Sequence, residues 1–181
     1  MGQLIGEVKT LWLEDGRKMR LLEPFRYDQD GGVEWDAPRG STIDGASIPK
    51  PLWSIVGGPY EGKYRRASVV HDVACDAKTR PWRQTHRAFY DAMRDDGTGR
   101  VRALLMYAAV YHFGPRWGDP RVERALAQEP ERMREDAMRL RQFVEDYAPT
   151  LEQIEELDRN DLLRMEPDIR EEAHFAPLGN D

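Results

Sequence analysis

The residues best suited to chemistry lie between Asp44 and Met93: the loop Asp44-Gly45-Ala46-Ser47-Ile48-Pro49, the pair His71-Asp72, Cys75, and His86 ahead of Phe89-Tyr90 and Ala92-Met93. His71 and Asp72 interrupt what otherwise reads as a core-forming helix face, and His86 holds a matching place on the face that follows. Imidazole and carboxylate groups set among apolar side chains need a partner for their polarity. Each other, a metal ion or a substrate would each serve. The loop offers a different chemistry. Gly45 lets the backbone approach an ion closely, and carbonyl oxygens together with the Asp44 carboxylate suit a hard cation such as calcium. Asp-Gly and Ser-x-Pro are also ordinary turn chemistry, so the loop alone does not define a ligand site.

The elements that must position these groups follow from periodicity. From Lys63 to Ala77 the residues Tyr64, Ala67, His71, Ala74 and Cys75 recur at steps of three and four, so they share one helix stripe, with His71 inward and Asp72 at its edge. Thr79 reads as the cap of the next helix and Pro81 as an early residue in it. There Trp82, His86, Phe89, Tyr90 and Met93 form one face. Two helices joined by so short a link run antiparallel with their inward faces together, which lets His71, Cys75 and His86 converge. Gly97 and Gly99 end the second helix. Val101 to Phe113 forms a third, buried through Leu104, Leu105, Ala108 and Tyr111 and stopped by Gly114-Pro115. His112, at its end, is expected to act as a charged cap or surface group.

Ahead of the helices the pattern is β. Leu11-Trp12-Leu13 and Met19-Arg20-Leu21-Leu22 flank an Asp-Gly turn, a strong hairpin signal. Phe25-Arg26-Tyr27 and Val33-Glu34-Trp35 repeat it around Asp28 to Gly32, and Val33 and Trp35 alternate with Glu34 and Asp36 as in a sheet with one wet face. The aromatic residues read as filling beneath the helices. Prolines and glycines from Pro38 to Pro59 break any long element, leaving one or two helical turns at Leu52 to Val56.

The chain has 181 residues and a net charge of −6, which argues against a general nucleic-acid binder. The charge is uneven: Glu129 to Asp181 carries sixteen acidic and seven basic residues, the first 128 residues seventeen acidic and twenty basic. Two regions are expected, a β-sheet and helical core with the His-Asp site over 1–118 and an acidic helical extension over 119–181. In the extension Met133, Ala137, Leu140, Val144 and Tyr147 step by four and three, a narrow coiled-coil-like seam. Thr150 can cap a second helix with Leu151, Ile154, Leu157 and Leu162 on its apolar side, and His174 falls in a solvated tail. The seam suits a helical hairpin folded on itself, or docking on a neighbouring protein or a second copy, because so thin a stripe buries too little to be stable alone. The single Cys75 excludes an internal disulfide. The start of the chain lacks the basic and apolar runs of a signal peptide, and no window approaches a membrane span. Synthesis in the cytoplasm follows as the expectation.

Several of these segments resemble a phage and prophage domain family of unknown function: Thr42-Ile43-Asp44-Gly45-Ala46-Ser47-Ile48-Pro49, Tyr64-Arg65-Arg66-Ala67, His71-Asp72, Phe89-x-x-Ala92-Met93, Met106-Tyr107-x-Ala109-Val110 and Phe113-Gly114. The resemblance runs from about Val33 to Trp117. In motif order it is similar in turn to the secreted bacterial phospholipases A2. The expected fold is α+β and mostly helical: the small antiparallel sheet read from the hairpin signals packs on an antiparallel helix pair, which the resemblance likens to that of the phospholipases, and the helical hairpin follows outside the resemblance. The resemblance also implies His71 as the base, and Asp72 and the Asp44 loop as calcium ligands. Two positions depart from the phospholipase pattern: a tyrosine is replaced by Cys75, and the partner-helix aspartate that orients the base by His86. An imidazole lacks the fixed negative charge that steadies an imidazolium. His71, Cys75 and His86, with Asp72 or Asp44, suit zinc better than calcium; hydrogen bonding among them with no metal is the alternative. The expected function is a virion-associated structural protein, in the tail, baseplate or another part of a phage particle, built on a degenerate phospholipase-A2-like core and meeting other phage proteins through its C-terminal helices. The alternative is a phage metal-dependent hydrolase of lipid esters or cell envelope, with His71 and His86 as its catalytic pair.

Overall fold

Residues 1–45, 47–58, 62–118 and 130–157 are described by a computed structural model. Six short strands come first: β1 (Gln3–Ile5), β2 (Thr10–Trp12), β3 (Met19–Leu21), β4 (Phe25–Gln29), β5 (Val33–Ala37) and β6 (Thr42–Ile43). Both expected hairpins form. Trp12 faces Met19 across β2 and β3, and Tyr27 faces Trp35 across β4 and β5. At the first turn the Asp15 carboxylate accepts the N–H groups of Arg17 and Lys18, and Gly16 takes a positive φ of 65°. This is the local side-chain bonding that makes Asp-Gly a turn signal. The single sheet expected from sequence is instead two antiparallel three-stranded sheets, ordered β1-β4-β5 and β2-β3-β6. Each hairpin recruits a strand from outside itself, which hairpin signals cannot specify.

A 3-10 turn (Lys50–Leu52) leads into α1 (Trp53–Val56), followed by α2 (Arg65–Ala77), α3 (Trp82–Asp95) and α4 (Arg100–Phe113). The fold is α+β, with small antiparallel sheets preceding the helices. α2 ends at Lys78 in the left-handed conformation, and Pro81, extended at φ −56° and ψ 140°, is the residue that precedes α3. Thr79 is therefore not the cap, and Pro81 lies just outside the helix. Proline's missing N–H costs nothing there. α4 is buried at nine consecutive residues, Ala103 to Tyr111, rather than on one face. A helix apolar all round is a central helix, and it has neighbours on both sides: α3 on one, and α5 (Pro130–Tyr147) with α6 (Leu151–Glu156) on the other.

That second contact decides the status of the C-terminal stripe. Met133, Ala137, Leu140 and Val144 of α5 and Ile154 of α6 join the same hydrophobic cluster as the first helices, and Tyr147 drops out of the seam at 73% exposed. The stripe expected to close on itself or await a partner is covered by α4, α1 and the 3-10 turn of its own chain. Polar clasps fix the contact: Arg141 donates to the Ile55 carbonyl at 2.9 Å and pairs with Glu145 at 2.7 Å, and Arg134 donates to the Pro51 carbonyl. Thr150 caps α6 as expected, in a reciprocal capping box with Gln153. His112 is not a charged cap. Its Nε2–H donates to the Ile154 carbonyl at 2.9 Å, and burial pushes its pKa down to about 4, so it ties α6 to α4 as a neutral ring. Leu162 and His174 lie outside the described residues. Among the described residues no helix is long and apolar enough to cross a membrane.

Candidate functional site: a closed His-Cys-His cluster beside an anchored loop

α2 and α3 pack antiparallel with their apolar stripes together, and this brings His71, Cys75 and His86 to one point. His71 Nε2 lies 2.9 Å from His86 Nδ1, and Cys75 Sγ lies 3.5 Å from His71 Nε2. One nitrogen or sulfur from each residue falls within 4.8 Å of the other two. Trp117 and Trp82 set their edges near the His86 ring, and Phe89 stacks on His71 at 4.6 Å between centroids. The cluster is closed to solvent: His71 is 2% exposed, His86 0% and Cys75 4%.

Hydrogen-bond partners settle the proton positions. His86 Nε2 faces the Pro115 carbonyl at 3.1 Å. A carbonyl only accepts, so this nitrogen carries the hydrogen. Burial pushes the His86 pKa down to about 3, keeping the ring neutral and leaving Nδ1 as an acceptor. His71 Nε2–H must then donate to it. A backbone carbonyl orients one imidazole, which orients the next; in the phospholipase pattern a carboxylate makes that second contact. The Pro115 carbonyl and Trp117 were not legible as site components, because Gly114-Pro115 reads only as a helix stop. Burial, with the nearby Asp72 charge second, raises the Cys75 thiol, so the free thiol stays protonated.

Asp72 takes a different direction. It is 3% exposed, fully buried rather than at the stripe's edge, because the loop after β6 folds over that flank of α2. Its Oδ2 accepts the N–H of Asp44 at 3.0 Å and of Gly45 at 2.8 Å, and Ser47 donates its hydroxyl to Oδ1 at 3.3 Å. Gly45 at φ 99° and Ser47 at φ 55° supply the positive backbone angles this requires. Successive N–H groups in such a turn form an anion-binding concavity, and the anion is the chain's own Asp72. In this arrangement it is N–H and hydroxyl donors of the loop that face the Asp72 carboxylate. The Asp44 carboxylate points away, 3.7 Å from Arg17. Of the five candidate site residues, the structure gathers His71, Cys75 and His86 and leaves Asp72 and Asp44 outside that group.

A cavity of about 180 Å³ opens beside this loop, lined among others by Thr10, Trp12, Met19, Arg65, Ser68 and Asp72. Trp12, expected beneath the helices, is 57% exposed at its rim. The cavity reaches Asp72 on the outer flank of α2, and neither histidine of the pair lines it.

Residues 19–110, from β3 to within α4, match the model of a family described as "Protein of unknown function (DUF1353)", and the chain belongs to that family. Two relatives come from Sinorhizobium fredii (strain NBRC 101917 / NGR234). The uncharacterized protein y4jT is 47% identical over 97 residues, 54% of this chain and 29% of that protein. The uncharacterized protein y4iH is 45% identical over 104 residues, 58% of this chain and 44% of that protein. The chain thus covers less than half the length of either relative. No solved structure matches. The family match takes in the His-Cys-His cluster and the anchored loop but excludes α5 and α6, which complete the core around α4.

Proposed function

We propose that this chain is a structural component of a bacteriophage particle, in the tail, baseplate or another part of the virion, built on a phospholipase-A2-like core converted from catalysis to packing. The observation that carries the non-catalytic half is closure. The would-be base His71 is 2% exposed among aromatic rings, and Asp72 is engaged by loop N–H groups. A general base must come within hydrogen-bond reach of its substrate or of one water, and the nearby cavity opens elsewhere. The phage half is supported by the motif resemblance. The protein would be made in the host cytoplasm and carried in the virion. Other phage proteins, or a second copy, would meet the outer face of the C-terminal helices, where Glu131, Glu135, Asp146, Glu156 and Tyr147 are exposed, since the inner stripe is filled. Mass spectrometry of purified particles tests this: the chain is expected among the particle proteins, and its absence there would defeat the reading.

The second reading, a metal-dependent hydrolase of lipid esters or cell envelope, is favoured by the orientation of His71. Its Nε2–H is held by His86, which is itself held by the Pro115 carbonyl, so the ring is fixed in orientation, as a positioned base needs. Ester, lipid and cell-wall substrates offered to the purified chain decide it. Turnover that disappears in His71→Ala would establish the hydrolase and overturn the packing role.

A further inference from the structure

We propose that His71, Cys75 and His86 form a zinc site, loaded as the chain folds, that ties α2 to α3. The inference goes beyond the particle-protein reading and stands or falls separately from it.

Three independent features converge on it. The first is distance. Tetrahedral zinc, with bonds of roughly 2.0–2.1 Å to nitrogen and 2.3 Å to sulfur, holds two nitrogens about 3.3 Å apart and a nitrogen and a thiolate about 3.5 Å apart. Here Cys75 Sγ and His71 Nε2 are 3.5 Å apart, the two nitrogens 2.9 Å, and all three ligand atoms lie within 4.8 Å of one another, so an opening of the histidine pair and a side-chain adjustment of Cys75 towards His86 seat the ion. The second is the outer hydrogen bond. Metal-bound imidazoles donate their other N–H to a carbonyl or carboxylate, which fixes the tautomer and turns the free nitrogen to the ion. His86 does this through Nε2–H to the Pro115 carbonyl, turning Nδ1 into the cluster. The third is ligand type: a thiolate and two imidazoles select zinc over calcium or magnesium. On binding, the Cys75 thiol loses its proton to solvent, and the proton on His71 Nε2 moves to Nδ1 so that Nε2 can ligate. Three protein ligands leave one position for a water. With all three side chains closed to solvent, the ion enters during folding, and binding energy becomes folding energy.

The test is to unfold the full chain in denaturant with chelator, refold it with zinc or with cobalt, and remove free metal. Elemental analysis is expected to find about one zinc per chain, with a higher unfolding temperature than the metal-free refolded protein. The cobalt form is expected to show thiolate-to-metal charge transfer in the near ultraviolet. Because Cys75 is the only cysteine, that band identifies it without any variant. Cys75→Ser, checked for folding by circular dichroism, should lose both the band and the zinc. Wild-type protein that refolds without retaining either metal overturns the proposal, as does Cys75→Ser that folds and keeps its zinc.

Discussion

Removing the Asp72 carboxylate separates its two conceivable roles, ligand and anchor. Asp72→Ala leaves the N–H groups of Asp44 and Gly45, which approach Oδ2 at 3.0 and 2.8 Å, without their acceptor beneath a folded loop. A buried donor left unsatisfied costs about 1–3 kcal/mol. Two such donors, with partial rescue by water at the half-exposed Asp44, give a loss of about 3–5 kcal/mol. Asp72→Asn keeps one acceptor oxygen and the shape but removes the charge that strengthens both bonds, so its loss should be about 1–2 kcal/mol. Urea unfolding measures both, read as a fall in midpoint at unchanged slope. Calcium enters the same experiment. A carboxylate engaged by N–H donors leaves the wild-type midpoint unmoved by added calcium, whereas a calcium ligand raises it by mass action. Asp72→Ala within about 0.5 kcal/mol of wild type, or a calcium-dependent midpoint abolished by that substitution, would rule out the anchoring role of Asp72.

The C-terminal helices offer further tests. Leu140 is 1% exposed between α5 and the core, so Leu140→Ala should cost about 2–5 kcal/mol by urea unfolding, while Tyr147→Ala, 73% exposed on the same helix, should stay within about 0.5 kcal/mol. An acid limb is expected from His112. Its folded pKa of about 4 lies below the ordinary 6.5, through burial first and the nearby Arg116 charge as well. The unfolded chain therefore binds the proton first, so stability is full above pH 6.5 and is lost as the pH falls from there towards 4. The ring keeps part of its surface in solvent, so the loss is at most about 2 kcal/mol. Thermal unfolding across that range should show a shallower decline in His112→Gln, and an unchanged profile would remove His112 from the account. In the hydrolase reading, His86→Asp supplies the charge that an oriented base uses and should raise any measured turnover. A fall would mean that the imidazole itself is required there.

Much of this was legible because it is local and periodic. The Asp-Gly turn needs only neighbouring N–H groups to close. Steps of three and four placed His71 and Cys75 on one stripe of α2 and His86 on the facing stripe of α3, and a short link forces two such stripes together, so the convergence was readable from spacing alone. The capping box at Thr150 and Gln153 is local in the same way. That the chain falls in a family of unknown function was readable too, and the family match over residues 19–110 bears out that much.

The tertiary structure decided the rest, since periodicity shows which face of an element is apolar and says nothing about what covers it. The stripe of α5 reads identically whether it meets a partner, its own hairpin or α4; it meets α4 because that helix is apolar all round and has a second side to bury. Asp72, one residue from His71, turns to loop amides about 27 residues upstream rather than to the histidines, a choice made by where the β6 loop lands. The proton order in the histidine pair rests on a single carbonyl, that of Pro115, brought in from beyond α4. Residue types and spacing in the sequence determined which groups gather at the centre of this protein. Contacts distant along the chain determined their protonation, their closure from solvent and hence the chemistry left to them.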